Sequence, residues 1–170
     1  MRHRVKGRRL GRLSAPRATL KRDIANALFM RERIVTTQAK AKEFRPFAEH
    51  CITLAKRAAA KPELKLHHYR RLITLLHNED AAHKLMHDIG PRFLTREKEN
   101  AVNRGGYTRI LLLGGNRRMI KRDQDPGRFY SIRLGDGGPQ VLFELVVRRE
   151  EEAPAPETKS AKAKKVAAAK

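Results

Sequence analysis

The first acidic residue of this chain is Asp23, and the 22 residues before it carry nine lysines and arginines. The opening Met1-Arg2-His3-Arg4-Val5-Lys6-Gly7-Arg8-Arg9-Leu10-Gly11-Arg12-Leu13 has neither a helical nor a strand period. After Met1 its only large apolar residues are Val5, Leu10 and Leu13. Such a segment buries too little apolar surface to offset the entropy of ordering, so it does not fold by itself. Its charge has no acid of its own to meet. The chain is therefore restricted to a folded body beyond an extended cationic arm, residues 1–13, that a polyanion would order.

The rest of the chain sharpens this. Residues 23–147 hold 23 basic and 14 acidic residues, and residues 148–170 hold seven and four, within a formal net charge of +21. Self-repulsion of this size destabilises a free compact chain, and a phosphate-rich partner relieves it. At 170 residues there is room for one domain, 14–147, plus tails. Cys51 is the only cysteine, so no internal disulfide can form and a reduced, cytoplasmic setting is expected. No apolar run approaches the roughly 18–20 residues that span a bilayer, and no secretory signal is visible. An Arg-rich, acid-poor start also suits a mitochondrial transit segment, but serine is nearly absent and no amphipathic period precedes Pro16.

Ser14 before Pro16 is a helix-start signal. Leu20, Ile24, Ala27 and Leu28 then predict a helix to about Met30, with Arg17, Lys21 and Arg22 on a cationic face. Arg33 to Thr37 reads as a short β-branched strand. Thr37 would cap a second helix over about 39–60, with Phe44, Phe47, Ala48, Cys51, Leu54, Ala55 and Ala58 as its apolar stripe. Pro46 inside it predicts a kink or a break. Cys51, on the stripe, should be buried and inert. A third helix is expected over 65–77. Asn78 would cap a fourth, which Gly90-Pro91 should stop. Residues 92–104 read as irregular. Strands are expected over 107–113 and 140–147, paired antiparallel, with a further short strand near 129–134. Residues 148–170 are Glu/Pro-rich and then Ala/Lys-rich, a composition of disorder.

The chemistry-bearing residues form no reaction centre. His83 and His87 stand four apart, but a metal site needs about four ligands and no partners are evident. Gly105-Gly106 and Gly114-Gly115 flank a strand, without the Gly-Lys-Ser/Thr ending of a phosphate loop. No nucleophile has a base beside it, and no carboxylates are paired. We expect no catalytic, metal or cofactor residues and no small-molecule substrate. Zinc-finger, zipper and base-stacking signatures are also missing, so phosphate and shape contacts are favoured over base reading. Tyr107 and Tyr130 are the aromatic residues that could stack on bases, with core packing the stronger reading. Gly105-Gly106 reads as a close-approach turn.

Several segments together resemble the family of bacterial large-subunit ribosomal protein seventeen. They are Met1-Arg2-His3-Arg4 with Gly7-Arg8 and Leu10, Glu32-Arg33-Ile34-Val35-Thr36-Thr37 with Ala39-Lys40-Ala41-Lys42-Glu43, and Ile52-Thr53-Leu54-Ala55-Lys56. Leu85 with Gly90-Pro91-Arg92-Phe93, Gly105-Gly106-Tyr107-Thr108-Arg109-Ile110, Arg133-Leu134-Gly135-Asp136 and Phe143-Glu144-Leu145-Val146 complete the set. They span most of residues 1–147 in order. Residues 98–103 look like extra length, 115–132 like an insertion into the final hairpin, and the tail beyond Arg149 like an extension.

The resemblance implies an α+β fold, with about four helices packed on a small mixed or antiparallel sheet. It implies a non-enzymatic constituent of the large subunit that binds 23S rRNA; we expect no homo-oligomer and no membrane partner. It implies neighbours among large-subunit proteins, twenty-two and thirty-two among them. The residues expected to meet RNA are Arg2, His3, Arg4, Lys6, Arg8, Arg9, Arg12, Arg17, Lys21, Arg22, Thr36, Thr37, Lys40, Arg92, Gly105, Gly106, Tyr107 and Arg109. Two other readings fit parts of the chain: a DNA-compacting protein with a cationic tail, and an RNA-acting enzyme using His83 and His87.

Overall fold

Gln140-Val141-Leu142-Phe143-Glu144-Leu145 is the strand on which the sheet is built. The computed structural model describes residues 7–99, 105–113, 133, 136 and 138–147. The strands are β1 (Arg33–Thr37), β2 (Thr108–Leu112) and β3 (Gln140–Leu145). β3 lies between the other two and is antiparallel to both, in the order β1-β3-β2. The expected pairing of β2 with β3 is present. β1 takes the remaining edge of β3, so the sheet is wholly antiparallel. Cross-strand rows run Arg33-Glu144-Arg109, Ile34-Phe143-Ile110 and Val35-Leu142-Leu111.

Alternate residues of a strand face opposite sides of the sheet. Val141, Phe143 and Leu145 enter the core shared with the helices, while Leu142 and Glu144 lie on the other face. Strands of five and six residues are too short to hold a sheet unaided, so this sheet depends on the helices packed across its inner face.

The helical path is α1 (Ser14–Arg31), α2 (Gln38–Ala60), a 3₁₀ turn (Pro62–Leu64), α3 (Lys65–Leu76), α4 (Glu79–Lys84), a π turn (Leu85–Ile89) and α5 (Gly90–Glu99). α4, the π turn and α5 are continuous, so the described residues form four helical rods, of which α1 and α2 pack on the sheet. The fold is α+β. α2 is the central rod and touches α1, α3, α5, the π turn and all three strands. Its 23 residues span about 34 Å at 1.5 Å per residue. Its buried stripe is the expected one widened by Ala41 and Ile52, with Phe47 only partly covered.

Several local expectations differ from the structure. Gly90-Pro91 does not stop the fourth helix. Gly90 is right-handed helical at φ −57° and ψ −53°, and its N–H reaches back to the carbonyl of Leu85. That wide turn loosens the carbonyl spacing just before Pro91, where the proline ring would otherwise clash. Residues 92–99, read as irregular, are therefore helix. α2 runs unbroken through Pro46, which is exposed. The carbonyl deprived of its partner is that of Lys42, also exposed, where water can satisfy it. The capping hydroxyls differ too. Ser14 is already helical, and Thr37 holds the N-cap position with no side-chain hydrogen bond. Asn78 caps as expected, its Oδ1 accepting from the Ala81 N–H at 3.0 Å. The strand expected near 129–134, the insertion 115–132 and the tail fall outside the described residues, apart from Arg133, which is in no strand.

Gly90 serves packing. A Cβ there would lie 3.0 Å from the backbone carbon and oxygen of Ala55 and from the oxygen of Leu85. Gly90→Ala should destabilise by about 1–2 kcal/mol despite the better helix propensity of alanine, because the obstacle is backbone. Urea unfolding reads this directly, and a gain in stability would contradict it. Cys51 is fully buried, and burial pushes its thiol from 9.0 up to about 12. The folded protein should therefore resist thiol reagents at pH 8 and react only on unfolding. An unfolded thiol ionises near 9.0 and the folded one near 12, so this residue's contribution to stability is whole below pH 9 and is lost as pH rises toward 12. The stability gap between wild type and Cys51→Ala should narrow over that window in pH-dependent urea titrations.

Candidate nucleic-acid interface

The structure divides the expected contact residues between two zones. The first surrounds the N-terminal half of α2. There the arm meets the body: the backbone N–H of Arg8 donates to Glu43 Oε2 at 2.9 Å. Gly7 has φ +100°, and a Cβ on it would lie 3.3 Å from Glu43 Oε1. Arg12 N–H closes a turn on the Arg9 carbonyl at 3.0 Å, with Leu10 and Gly11 at φ 54° and 64°. Glu43 thus holds the arm by its backbone and pairs with none of its cations among the described residues. Arg8, Arg9 and Arg12 remain exposed. Arg2, His3, Arg4 and Lys6 lie outside the described residues.

Thr36 and Thr37 end β1 and Lys40 lies in the first turn of α2, about 4.5 Å of helix rise before Glu43. The first turns of α1 and α2 contain no acid, and no side chain caps either helix. Their free N–H groups add partial positive charge to this end of the molecule. α4 is the contrast, capped by Asn78 and carrying Glu79 and Asp80 in its first turn. Arg17 and Arg22 are half-buried on α1. Lys21 lies nearer the core than its assignment to an outward face implied. Its Nζ is 4.5 Å from the Phe47 ring centroid, with the buried Ala25, Leu28 and Phe29 defining the inner side of the helix.

The second zone is the start of β2, near the Arg33 end of the sheet. Gly106 is left-handed at φ +61°, and open space surrounds the Cβ position of both Gly105 and Gly106. The Gly106 carbonyl accepts from Arg96 Nη1 at 3.3 Å. Tyr107 is buried, its ring edge-on to Phe93 at 5.1 Å. Its hydroxyl accepts from Lys56 Nζ at 2.8 Å and donates to Glu97 Oε1 at 3.3 Å. Burial opposes the Lys56 charge, but these two partners outweigh it and hold the ammonium pKa above the usual lysine value. Tyr107 is therefore a core anchor here, and the geometry gives it no face for stacking a base. Thr108 donates to Glu49 Oε1 at 2.9 Å, and Arg109 donates to Glu144 Oε1 at 2.5 Å.

Arg92 belongs to neither surface. Its Nη atoms donate to both oxygens of Glu32, at 2.6 and 3.1 Å, and to Asp88 Oδ2 at 3.1 Å. Burial works against its charge, and the hydrogen bonds from Glu32 and Asp88 more than compensate, raising its pKa. Glu32 itself is left-handed at φ 60° and closes α1, its N–H on the Leu28 carbonyl at 2.7 Å. Sequence reading passed over Glu32. One signal was available: an acid at a helix C-terminus opposes the helix dipole and so asks for a cation nearby. Glu43 left no comparable signal, because a backbone N–H is its partner. His83 and His87 are exposed, with ring centroids 4.3 Å apart, and no third His, Cys, Asp or Glu completes a metal-binding group with them among the described residues.

The family model described as Ribosomal protein L17 matches residues 20–125. The large ribosomal subunit protein bL17 of Syntrophotalea carbinolica is 38% identical over 146 residues, covering 86% of this chain and 75% of that protein. Its counterpart in Desulfotalea psychrophila is also 38% identical over 146 residues, covering 86% and 90%. That of Shouchella clausii is 39% identical, covering 81% of this chain and 97% of its own.

The Glu32–Arg92 contact generates a stability prediction. Glu32→Gln should cost roughly 3 kcal/mol, because it leaves a half-buried guanidinium short of its counter-charge. Arg92→Lys should recover only part of an Arg92→Ala loss, since a lysine cannot fork onto both oxygens. Thermal and urea unfolding of the three variants check both statements.

Proposed function

We propose a structural, RNA-binding role in the large ribosomal subunit for this chain, which belongs to the ribosomal protein L17 family. That family is one of structural ribosome components, and the chain is not an enzyme. In our reading it works on the cytoplasmic ribosome and binds 23S rRNA through phosphates and shape. The observation that carries this reading is the arm. Glu43 anchors it through the Arg8 backbone N–H, leaving Arg8, Arg9 and Arg12 exposed for phosphates. Arg2, His3, Arg4 and Lys6 extend the same contact. Arg17, Lys21, Arg22, Thr36, Thr37 and Lys40 supply the body's share around the α2 N-terminus. Gly105, Gly106 and Arg109 form a second contact, where backbone without side chains admits close approach. Tyr107 and Arg92 serve by holding that surface in place. Large-subunit proteins twenty-two and thirty-two, implied by the resemblance, are the proposed protein neighbours.

Each phosphate neutralised steepens the salt dependence of binding, by about 0.9 in log–log slope on duplex DNA and less on single strands. Deleting residues 1–13 removes six lysines and arginines and should flatten the slope for 23S rRNA by several units. Filter binding across salt concentrations measures it. An unchanged slope, or equal affinity for duplex DNA at matched phosphate, would overturn the proposal.

A further inference from the structure

The outer face of the sheet carries one acid between two arginines. Glu144 stands on β3 directly between Arg33 of β1 and Arg109 of β2. It is fully buried, and each carboxylate oxygen takes one guanidinium: Arg33 Nε donates to Oε2 at 3.0 Å and Arg109 Nε to Oε1 at 2.5 Å. The arginine side chains are themselves 37% and 48% exposed. Neither makes another hydrogen bond among the described residues, so the Nη nitrogens of both lack a protein partner there.

A brace between strands does not need this chemistry. A buried ion group stabilises no better than well-packed apolar residues of similar size. The neighbouring row of the same face, Val35-Leu142-Leu111, is apolar throughout. What the ionic row adds is geometry. Bonding through Nε orients each guanidinium plane and leaves its Nη groups without a partner among the described residues, and a fixed fork loses less entropy when it meets an anion.

We infer that Glu144 is a positioning residue that holds the part-exposed Arg33 and Arg109 as a fixed pair on the outer sheet face, and that this pair takes phosphates of the ribosomal RNA backbone. The occupant follows from charge complementarity: two cations share one anion, in a chain of net charge +21. The inference rests on the RNA-binding reading above and adds Arg33 and Glu144 to it.

Glu144→Gln separates this from simple charge attraction. It raises the net charge by one, so attraction alone would tighten RNA binding. An amide, however, has a single acceptor oxygen and turns an NH₂ donor toward the second guanidinium, so it can hold only one arginine. We expect 23S rRNA transcribed in vitro to bind the full-length Glu144→Gln chain roughly three- to tenfold more weakly, with the salt slope retained. Arg33→Lys and Arg109→Lys together should weaken binding comparably at constant charge. Adding Glu144→Gln to that pair should change affinity by less than about twofold, because the pair it positions is gone. Protection of the Cys51 thiol verifies folding in each variant. If Glu144→Gln fails to fold, the lysine pair decides alone. Equal or tighter binding by Glu144→Gln, or by the lysine pair, overturns the inference while leaving the arm-dependent slope of the wild type intact. Unchanged RNA affinity with poorer retention on washed large subunits assigns the face to an acidic protein neighbour and overturns it as well.

Discussion

The contact between Glu32 and Arg92 is where helices and sheet are locked together. Glu32 ends α1 in a left-handed turn, and its carbonyl accepts the Leu145 N–H at 3.0 Å, which sets the edge of β3. Its carboxylate reaches Arg92 on α5, and Arg92 also approaches the Val147 carbonyl at 3.5 Å. Lys84 joins the same corner, donating to the Met30 carbonyl at 2.8 Å, so the last turn of α1 gains a cation where its dipole favours one. Chain segments far apart in sequence meet at this one residue, the end of β3 at its backbone carbonyl and α5 at its carboxylate. The desolvation of those charges is offset because the pairing is forked and both partners are further hydrogen bonded.

Four further acids follow a common pattern. Glu49 holds Thr108 and Arg45, Glu97 holds Lys56 and Tyr107, Glu43 holds the arm backbone, and Glu144 holds Arg33 and Arg109. Carboxylates in this basic chain are used to join parts of the fold. The cations they leave over lie outward, so the positive field of the molecule is concentrated on its surface, where a polyanion can reach it. Glu43 and Glu144 carry this furthest. One holds the arm through a backbone N–H, and the other orients two cations while remaining fully buried.

Much of the helical and strand pattern was legible because it depends on local period: the α2 stripe, the Asn78 cap and the alternation of β3 are features of neighbouring residues. The misreadings fell where distant contacts override local rules. Gly90-Pro91 carries a stop signal, but Ala55 packs against Gly90 and the π turn accommodates Pro91, so the helix continues. Charge alone does not tell that Arg92 pairs inward with a carboxylate. Its direction depends on Glu32, 60 residues away. Arg33 was passed over for the complementary reason: nothing in its own segment shows that Glu144 lies opposite.

By itself the sequence determined a cationic arm unable to fold alone, a basic body of helices and short strands, and a likeness to one ribosomal protein family. Composition, period and motif order are properties of the linear chain, so they survive without coordinates. Only the tertiary structure decided which cations face outward. That choice is made by carboxylates brought in from remote segments, through pairings whose partners are set by sheet register and helix packing. The arm shows the division most clearly. Its charge was evident from the first 22 residues, whereas the point at which Gly7 and Arg8 meet the body is set by Glu43 and the handedness of Gly7.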